Sequence, residues 1–226
     1  MSSIRLPAFL ALLAGVTDVT SWILLGGLFT AHITGNIVVL AANIVSGTPP
    51  RFAAVLALPV FVIVVIVATV IARRSGGRRE LTRNALLGTQ AALLLAAAVL
   101  SFTTRASADP DAPLAVLIGI CAVAAMAMQN SYLHLVPARA PSTAVMTGNL
   151  VTAVIAALDL ATADGRASAR ARWTSSWPLL AGFVIGCLVG SAAATVLGDH
   201  AAVVPAVLAI AILLSVAFRP EEALDA

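Results

Sequence analysis

Long apolar runs separated by short polar connections make up the chain, a pattern typical of a membrane-embedded helical protein. A helix needs about 20 apolar residues to cross the core of a bilayer. Six runs come close to or exceed this length, at residues 8–30, 52–72, 85–102, 113–136, 177–197 and 201–218. Two shorter uncharged runs lie at residues 33–46 and 142–158. We therefore predict an all-α integral membrane protein with six transmembrane helices.

The composition excludes a water-soluble globular protein. Hydrophobic residues make up 61% of the 226 residues and charged residues 10%, whereas about a quarter of the residues of a soluble domain are charged. The connections outside the apolar runs are too short to hold a soluble catalytic domain. The first run is longer than a signal-peptide core and has Asp18 near its middle, so we expect it to be retained as a span.

The net charge of +3 indicates membrane orientation rather than nucleic-acid binding. Five arginines share the connection between the second and third runs: Arg73, Arg74, Arg78, Arg79 and Arg83. Such a cluster marks a cytoplasmic loop, so the expected partner is the lipid bilayer and no nucleic acid. Three dispersed histidines and two isolated cysteines have no metal-ligand spacing, and we expect neither a metal nor a cofactor.

A tripeptide repeat divides the chain into halves. The sequence Thr-Gly-Asn occurs at residues 34–36 and again at 147–149, an offset of 113 residues. The same offset places the first three apolar runs on the last three. This agreement predicts an internal duplication, with residues 1–106 and 107–226 as two repeats of one membrane domain.

The arginine positions predict how the repeats are oriented. If neither Thr-Gly-Asn segment crosses the membrane, eleven arginines lie on the side of the 73–83 loop, and Arg51 and Arg105 lie on the other. If both segments cross, the counts become six and seven. We therefore predict six spans with cytoplasmic termini. Three spans per half make the repeat inverted, with two re-entrant half-helices. If the first segment alone crosses, ten arginines lie on the side of the 73–83 loop and three on the other. This distribution is nearly as favourable, so the prediction that the first segment is re-entrant depends mainly on the internal repeat.

Two sequence stretches resemble a known family. They are AGVTDVTSWILLGGLFTAHITGN at residues 14–36 and MQNSYLHLVPARAPSTAVMTGN at residues 128–149. Both are similar to the YoaK-like family of bacterial multi-pass membrane proteins, a domain of unknown function numbered 1275, and the resemblance covers nearly the whole chain. Its first motif comprises Gly15, Asp18, Gly26, Phe29, His32, Thr34, Gly35 and Asn36. The resemblance implies a bacterial inner-membrane protein and carries no substrate with it.

Asp18 is the one formal charge inside the six predicted spans. Intramembrane acids usually face a bundle interior or water and have a partner. Asp18 thus either makes a structural hydrogen bond to a neighbouring helix or serves as a proton or cation site. The 113-residue offset aligns residues 16–18 with Gln129, Asn130 and Ser131, so polar groups recur at matching positions. We expect one binding site near the bilayer midplane, at the repeat interface.

The two Thr-Gly-Asn segments carry groups suited to binding. Their threonines can cap a half-helix, their glycines permit a tight turn, and their asparagines supply a donor and an acceptor. The free N–H groups of a half-helix favour an anionic or dipolar ligand. Alternatively, glycine allows close helix contact and asparagine satisfies the interrupted backbone. His32 either relays a proton or packs as a satisfied histidine.

These observations favour a transporter or permease for a small solute, with proton or ion coupling as an option. The candidate binding residues are Asp18, His32, Thr34, Gly35, Asn36, Gln129, Asn130, Thr147, Gly148 and Asn149. The alternative is a non-transporting assembly or lipid-organising protein. We do not expect an enzyme, because no nucleophile and acid-base pair converge. Gly182, Gly186 and Gly190 form a small-residue strip for close contact with another span or a homodimer partner.

Overall fold

A computed structural model describes residues 5–136, 143, 145–162 and 166–217. This part of the chain is helical and contains no strand. The helices are α1 Arg5–Leu24, α2 Thr34–Ser46, α3 Phe52–Arg74, α4 Arg79–Ser101, α5 Pro113–Leu135, α6 Met146–Ala161, α7 Arg166–Leu197 and α8 Val203–Ala217, with a 3₁₀ helix, Gly198–Ala202, before α8. Both predicted cytoplasmic termini lie outside the described residues.

Five continuous helical stretches are long and apolar enough to cross a membrane. They are Leu6–Leu24, Phe52–Arg74, Arg79–Ser101, Pro113–Leu135 and Arg166–Ala217. The last stretch has 52 residues, far more than the roughly 20 residues of one crossing. It turns at Gly198, whose φ is +55°. The fold is that of a multi-pass membrane protein.

The direction of α8 follows from its first contacts. His200, just before α8, points a ring nitrogen at the carbonyl of Ser101, the last residue of α4, at 3.1 Å. From this end α8 packs along α4. The two helices are therefore antiparallel, and the chain turns back after α7.

Helices α1 and α7 make the closest contact of the described fold. Gly182, Gly186 and Gly190 lie against the backbone carbonyls of Ala8, Leu12 and Val16, and a Cβ at each glycine would crowd α1. The contacts advance by four residues on each helix, so α1 and α7 run parallel. The glycine strip is thus covered by a helix of the same chain. Of the two alternatives, another span of the chain or a homodimer partner, the glycines contact the span.

The interior and the periphery of the bundle differ in burial. Helix α5 is buried from Ala122 to Leu133 and packs against α3 and α4. Helix α3 instead exposes apolar side chains such as Ile63 and Ile66, as a lipid-facing span does. The short helices α2 and α6 lie on the outside, α2 against α3 and α6 against α7.

Candidate functional site

The chain after α1 folds back along that helix. The predicted first span ended at residue 30, whereas α1 ends at Leu24, because Gly26 and Gly27 adopt φ values of +67° and +90°. The returning segment, residues 25–33, is called the leg. Its residues 30–32 contact Asp18, which lies six residues or about 9 Å before the end of α1. The leg therefore descends well below the end of the helix before α2 begins.

The leg surrounds the carboxylate of Asp18 with donors. Oδ1 accepts from the Thr30 N–H at 2.7 Å, the Thr30 hydroxyl at 2.9 Å and the Ala31 N–H at 2.7 Å. Oδ2 accepts from the His32 N–H at 3.3 Å and lies 2.6 Å from its ring Nδ1. Asp18 is 3% exposed. The hydrogen-bond partner of this intramembrane acid is thus its own downstream leg rather than a neighbouring helix.

His32 links the leg to α7. Its ring is a quarter exposed and meets the ring of Phe183 edge-on, with ring centroids 5.0 Å apart. The arrangement therefore joins the Asp18 and His32 pair to the contact between α1, the leg and α7.

The first Thr-Gly-Asn segment fixes the leg to α2. The amide of Asn36, which is 1% exposed, accepts from the Phe29 N–H at 3.0 Å and donates to the Phe29 carbonyl at 2.8 Å. Gly35 makes room for the Phe29 ring, because a Cβ there would lie 2.6 Å from a ring carbon. Asn36 thus satisfies the interrupted backbone.

Two expectations about the Thr-Gly-Asn segments are wrong. Neither threonine caps its helix: α2 and α6 have Ile33 and Val145 at their N-caps, without a side-chain cap hydrogen bond. Neither glycine has a positive φ, since both lie within the first helical turn. Gly35 is needed for space rather than for a tight turn.

The second Thr-Gly-Asn segment has a more open environment. Thr147 and Gly148 are exposed and Asn149 is half-buried. A Cβ at Gly148 would meet one atom of Val145, at 3.0 Å. The two segments belong to different helix contacts, since α2 packs against α3 and α6 against α7.

A second polar cluster lies on α5. Gln129, fully buried, donates to the Leu10 carbonyl at 3.0 Å and the Thr143 hydroxyl at 3.2 Å, and accepts from Gln90 at 2.8 Å. Leu10 precedes Asp18 by eight residues, about 12 Å along α1. The Gln129 cluster is therefore at a different depth from Asp18. One compact midplane site containing both sets is not the arrangement in this structure.

Sequence reasoning missed three members of these clusters. Thr30, Gln90 and Thr143 were not among the candidate residues. A signal for Thr143 is present, since the Thr-Ala pair at residues 30–31 recurs at 143–144, again with an offset of 113. Gln90 is recognisable as an amide within an otherwise apolar span.

The residues beside Gln129 keep unused hydrogen-bonding capacity. Asn130 donates its amide N–H to the Met126 carbonyl at 3.1 Å, but its buried Oδ1 has no partner among the residues that the structure describes. The same holds for the buried hydroxyl of Ser131. Within the described residues, no three His, Cys, Asp or Glu side chains are grouped to hold a metal ion.

The fold and its buried polar clusters define a multi-pass helical membrane protein. A family model described as "Protein of unknown function (DUF1275)" matches residues 6–215. The chain therefore belongs to this family, which confirms the resemblance of its Thr-Gly-Asn motifs. No curated protein and no solved structure matches the chain.

Proposed function

We propose that the protein is a proton-coupled transporter or permease for a small solute. The observation that carries this proposal is the Asp18 and His32 pair, buried between α1, the leg and α7. A charged carboxylate at the centre of a membrane helix costs about 2.5–3.5 kcal/mol on insertion scales. Such an acid is rare unless it is structurally or functionally required, and here it is paired with an imidazole, a side chain that serves as a proton shuttle in many proteins.

The geometry suggests how a proton would act on the leg. Three backbone N–H groups and one hydroxyl of the leg donate to Asp18. A protonated carboxyl group has fewer acceptor sites than a carboxylate, so protonation of Asp18 would weaken the bonds that hold the leg against α1. Release of the leg would change access to the space beside α7. In this mechanism the leg moves, and the protonation state of the Asp18 and His32 pair decides whether the leg is bound to α1.

The helix contacts support the inverted repeat on which alternating access depends. Under the 113-residue offset, α1 corresponds to α5, α2 to α6, α3 to α7 and α4 to α8. The contact of α1 with α7 then corresponds to that of α5 with α3. The contact of α4 with α5 corresponds to that of α8 with α1, and the contact of α2 with α3 corresponds to that of α6 with α7. All six pairs are in contact. The contacts of α4 with α8 and of α1 with α5 each join corresponding helices, as a two-fold axis between the halves requires. Among the described residues, the small contact of α3 with α4 has no comparable counterpart between α7 and α8.

We therefore propose six spans with α2 and α6 as re-entrant half-helices, in two halves of opposite orientation. Rocking of one half against the other is a recurring mechanism in transporters of this organisation. The arginine distribution supports cytoplasmic termini, and the family resemblance supports a bacterial inner-membrane location.

The coupling is tested with purified protein in liposomes that carry an imposed pH gradient. Solutes are screened by gradient-dependent uptake, and then Asp18→Asn and His32→Asn are compared with wild type. His32→Asn places an amide N–H near the position of Nδ1 and so retains a donor to Asp18 without a titratable ring. We expect both variants to lose gradient dependence, because each removes one member of the pair.

Asp111→Asn is the matched control, since it neutralises a carboxylate in the connection between α4 and α5. It should behave as wild type. The melting temperature of each variant is measured as well, so that a loss of coupling can be told from a loss of folded protein. Full gradient dependence in folded Asp18→Asn and His32→Asn would contradict the proposal.

A second candidate function is a non-transporting membrane assembly or lipid-organising protein. It is favoured by the complete satisfaction of Asp18 and Asn36 within the chain, which also suits a static support. This function would be indicated if no solute moved and Asp18→Asn changed thermal stability alone.

A further inference from the structure

A cleft opens where α4 and α7 end and the chain turns into α8. Its volume is about 350 Å³, within the range of roughly 300–1,000 Å³ that is typical of small-molecule sites. Because it lies beyond the last residue of α4, it is at the opposite end of that helix from the 73–83 loop. The cleft is lined by Phe102, Thr103, Thr104, Arg105, Asp199 and His200. None of these residues belongs to the Asp18 or Gln129 clusters, so the cleft is separate from both.

The cleft contains one guanidinium and one carboxylate that are not paired with each other. Within the described part of the chain, the side chain of Arg105 has no hydrogen bond and no ion pair. Arg51, the other arginine expected on this side of the membrane, is instead paired with Asp111 at 2.7 Å. An arginine that served only to balance a neighbouring acid would bond to it. The guanidinium donors of Arg105 are therefore available to a ligand.

The carboxylate of Asp199 is held in place by the connection between α4 and α5. Its Oδ1 accepts from the Ser107 N–H at 2.7 Å, and its Oδ2 accepts from the Ser107 hydroxyl at 3.1 Å. A carboxylate offers about four acceptor positions on its two oxygens, so these two bonds do not exhaust it. Asp199 is thus oriented by the protein and keeps acceptor capacity for a ligand, as preorganised binding requires.

One wall of the cleft is aromatic. His200 stacks on Phe102, with ring centroids 4.6 Å apart and ring planes 12° from parallel. His200 Nδ1 lies 3.1 Å from the carbonyl oxygen of Ser101. Because a carbonyl can only accept, Nδ1 is the donor, and Nε2 of the neutral ring is an acceptor. The imidazole therefore supplies a second acceptor for an N–H group of a ligand.

The charges of the lining define the class of ligand. Arg105 and Asp199 together give the cleft no net formal charge, so a ligand with a single charge would be repelled by one of them. A ligand that carries an oxyanion and an ammonium group complements both. The planar guanidinium suits a carboxylate or a phosphate, whereas the carboxylate and the imidazole suit the N–H donors of an ammonium.

We propose that this cleft binds a small zwitterion, with its carboxylate or phosphate on Arg105 and its ammonium group on Asp199. A free amino acid and the phosphoethanolamine headgroup of a phospholipid share this chemistry. Both can reach a cleft at the ends of the proposed spans. The inference goes beyond the proposed function, because binding in the cleft involves neither Asp18 nor a pH gradient.

Binding is tested on the delipidated full chain in detergent by melting temperature. Free glycine and phosphoethanolamine are titrated as soluble zwitterions, and short-chain phosphatidylethanolamine is titrated as the lipid. Acetate and methylammonium carry one charge each, and short-chain phosphatidylcholine has an ammonium group without an N–H. We expect a saturable rise in melting temperature with a zwitterion that has an N–H, and none with these three probes. A response to a soluble zwitterion identifies a solute site, and a response to the lipid alone identifies a headgroup site.

Arg105→Gln and Asp199→Asn each remove one charge and keep a hydrogen-bonding amide. Each should weaken binding about tenfold or more, because a hydrogen bond to a charged group is lost. Without ligand, Arg105→Gln should melt as the wild type does, since its side chain makes no bond among the described residues. Arg74→Gln and Asp109→Asn are the matched controls, because both side chains are exposed and neither lines the cleft. They should bind as the wild type does.

Three results would overturn the proposal. The first is the absence of a saturable response to every zwitterion. The second is an equal response to acetate or methylammonium, since a single charge would then be enough. The third is unchanged binding in Arg105→Gln and Asp199→Asn, which would mean that the zwitterion binds elsewhere. Asp18→Asn should keep zwitterion binding while it loses gradient-dependent uptake, so the failure of one proposal can be told from the failure of the other.

Discussion

Positions that correspond between the two halves of the chain differ in their hydrogen bonding. In the first half, the Asp18 carboxyl group is bonded by the leg that follows it. Ser131, its counterpart at the 113-residue offset, has a buried hydroxyl without a partner among the described residues. Thr30 donates to Asp18, whereas its counterpart Thr143 accepts from Gln129. The polar position on α1 is thus fully bonded, whereas the matching position on α5 is not.

Two glycine contacts also differ in how tightly they are packed. Where α7 meets α1, glycines lie on backbone carbonyls. Gly119 of α5 instead faces the tips of the Leu28 and Leu25 side chains of the leg. Backbone cannot withdraw from an added methyl group, but a leucine tip can rotate away. The contact of α1 with α7 should therefore tolerate no added methyl group, whereas the leucines beside Gly119 should move aside.

The largest effect is expected from Gly186→Ala, with Gly119→Ala as the comparison variant. A Cβ at Gly186 would collide with the Leu12 carbonyl, and the two helices would have to separate. Overpacking of this kind costs about 1–3 kcal/mol or more, so we expect little monodisperse protein on size-exclusion chromatography. Gly119→Ala should be recovered near wild-type yield. An equal loss of monodisperse protein in both variants would contradict the difference between the two glycine contacts.

An intermediate effect is expected from Asn36→Ala, compared with Asn149→Ala. The first substitution strands the buried N–H and carbonyl of Phe29, at about 1–3 kcal/mol for each unpaired group. Asn149 is half-buried at the start of α6, so its loss should lower the melting temperature less. Similar falls for both would show that the second segment is as tightly built as the first.

The smallest effect is expected at the ion pair that joins the halves, Arg51 with Asp111 at 2.7 Å. The hydrogen bond from Arg51 holds the pKa of Asp111 below its ordinary value of 3.8. The pair therefore stabilises the fold above that value, and this contribution is lost as the pH falls through the lowered pKa. Because both side chains are substantially exposed, the gain is about 1 kcal/mol at most.

Arg51→Gln should accordingly melt slightly below wild type at pH 6, and the two should converge near pH 3. A difference that persists at pH 3 would assign the effect to packing of the arginine rather than to the ion pair.

The sequence predicted the long apolar helices of a multi-pass membrane protein, because the length of an apolar run decides whether a helix can cross a bilayer. It also identified Asp18 as an interior residue. The identity of its partners could not be read, since the return of residues 30–32 depends on the positive φ angles of Gly26 and Gly27. An apolar pattern continues unbroken through that turn.

The single midplane site was inferred from matching sequence positions. In two halves of opposite orientation, matching positions share a depth only at the bilayer centre. Asp18 lies toward the end of α1 and Ser131 toward the end of α5, so in the proposed inverted repeat the two positions would lie at different depths. Gln129 contacts Leu10, eight residues before Asp18 on α1, which agrees with such a separation.

The partners of α1 also set the order in which the protein is completed during synthesis. Asp18 is bonded by residues only 12 to 14 positions downstream, so its charge is covered soon after α1 leaves the ribosome. The glycine face of α7 arrives much later, because the chain is made from its N-terminus. Until α7 is made, the face of α1 that contacts these glycines has no helix partner in the bilayer. The hydrogen bonds from the leg thus satisfy the polar group of Asp18 within the bilayer before α7 has been synthesised.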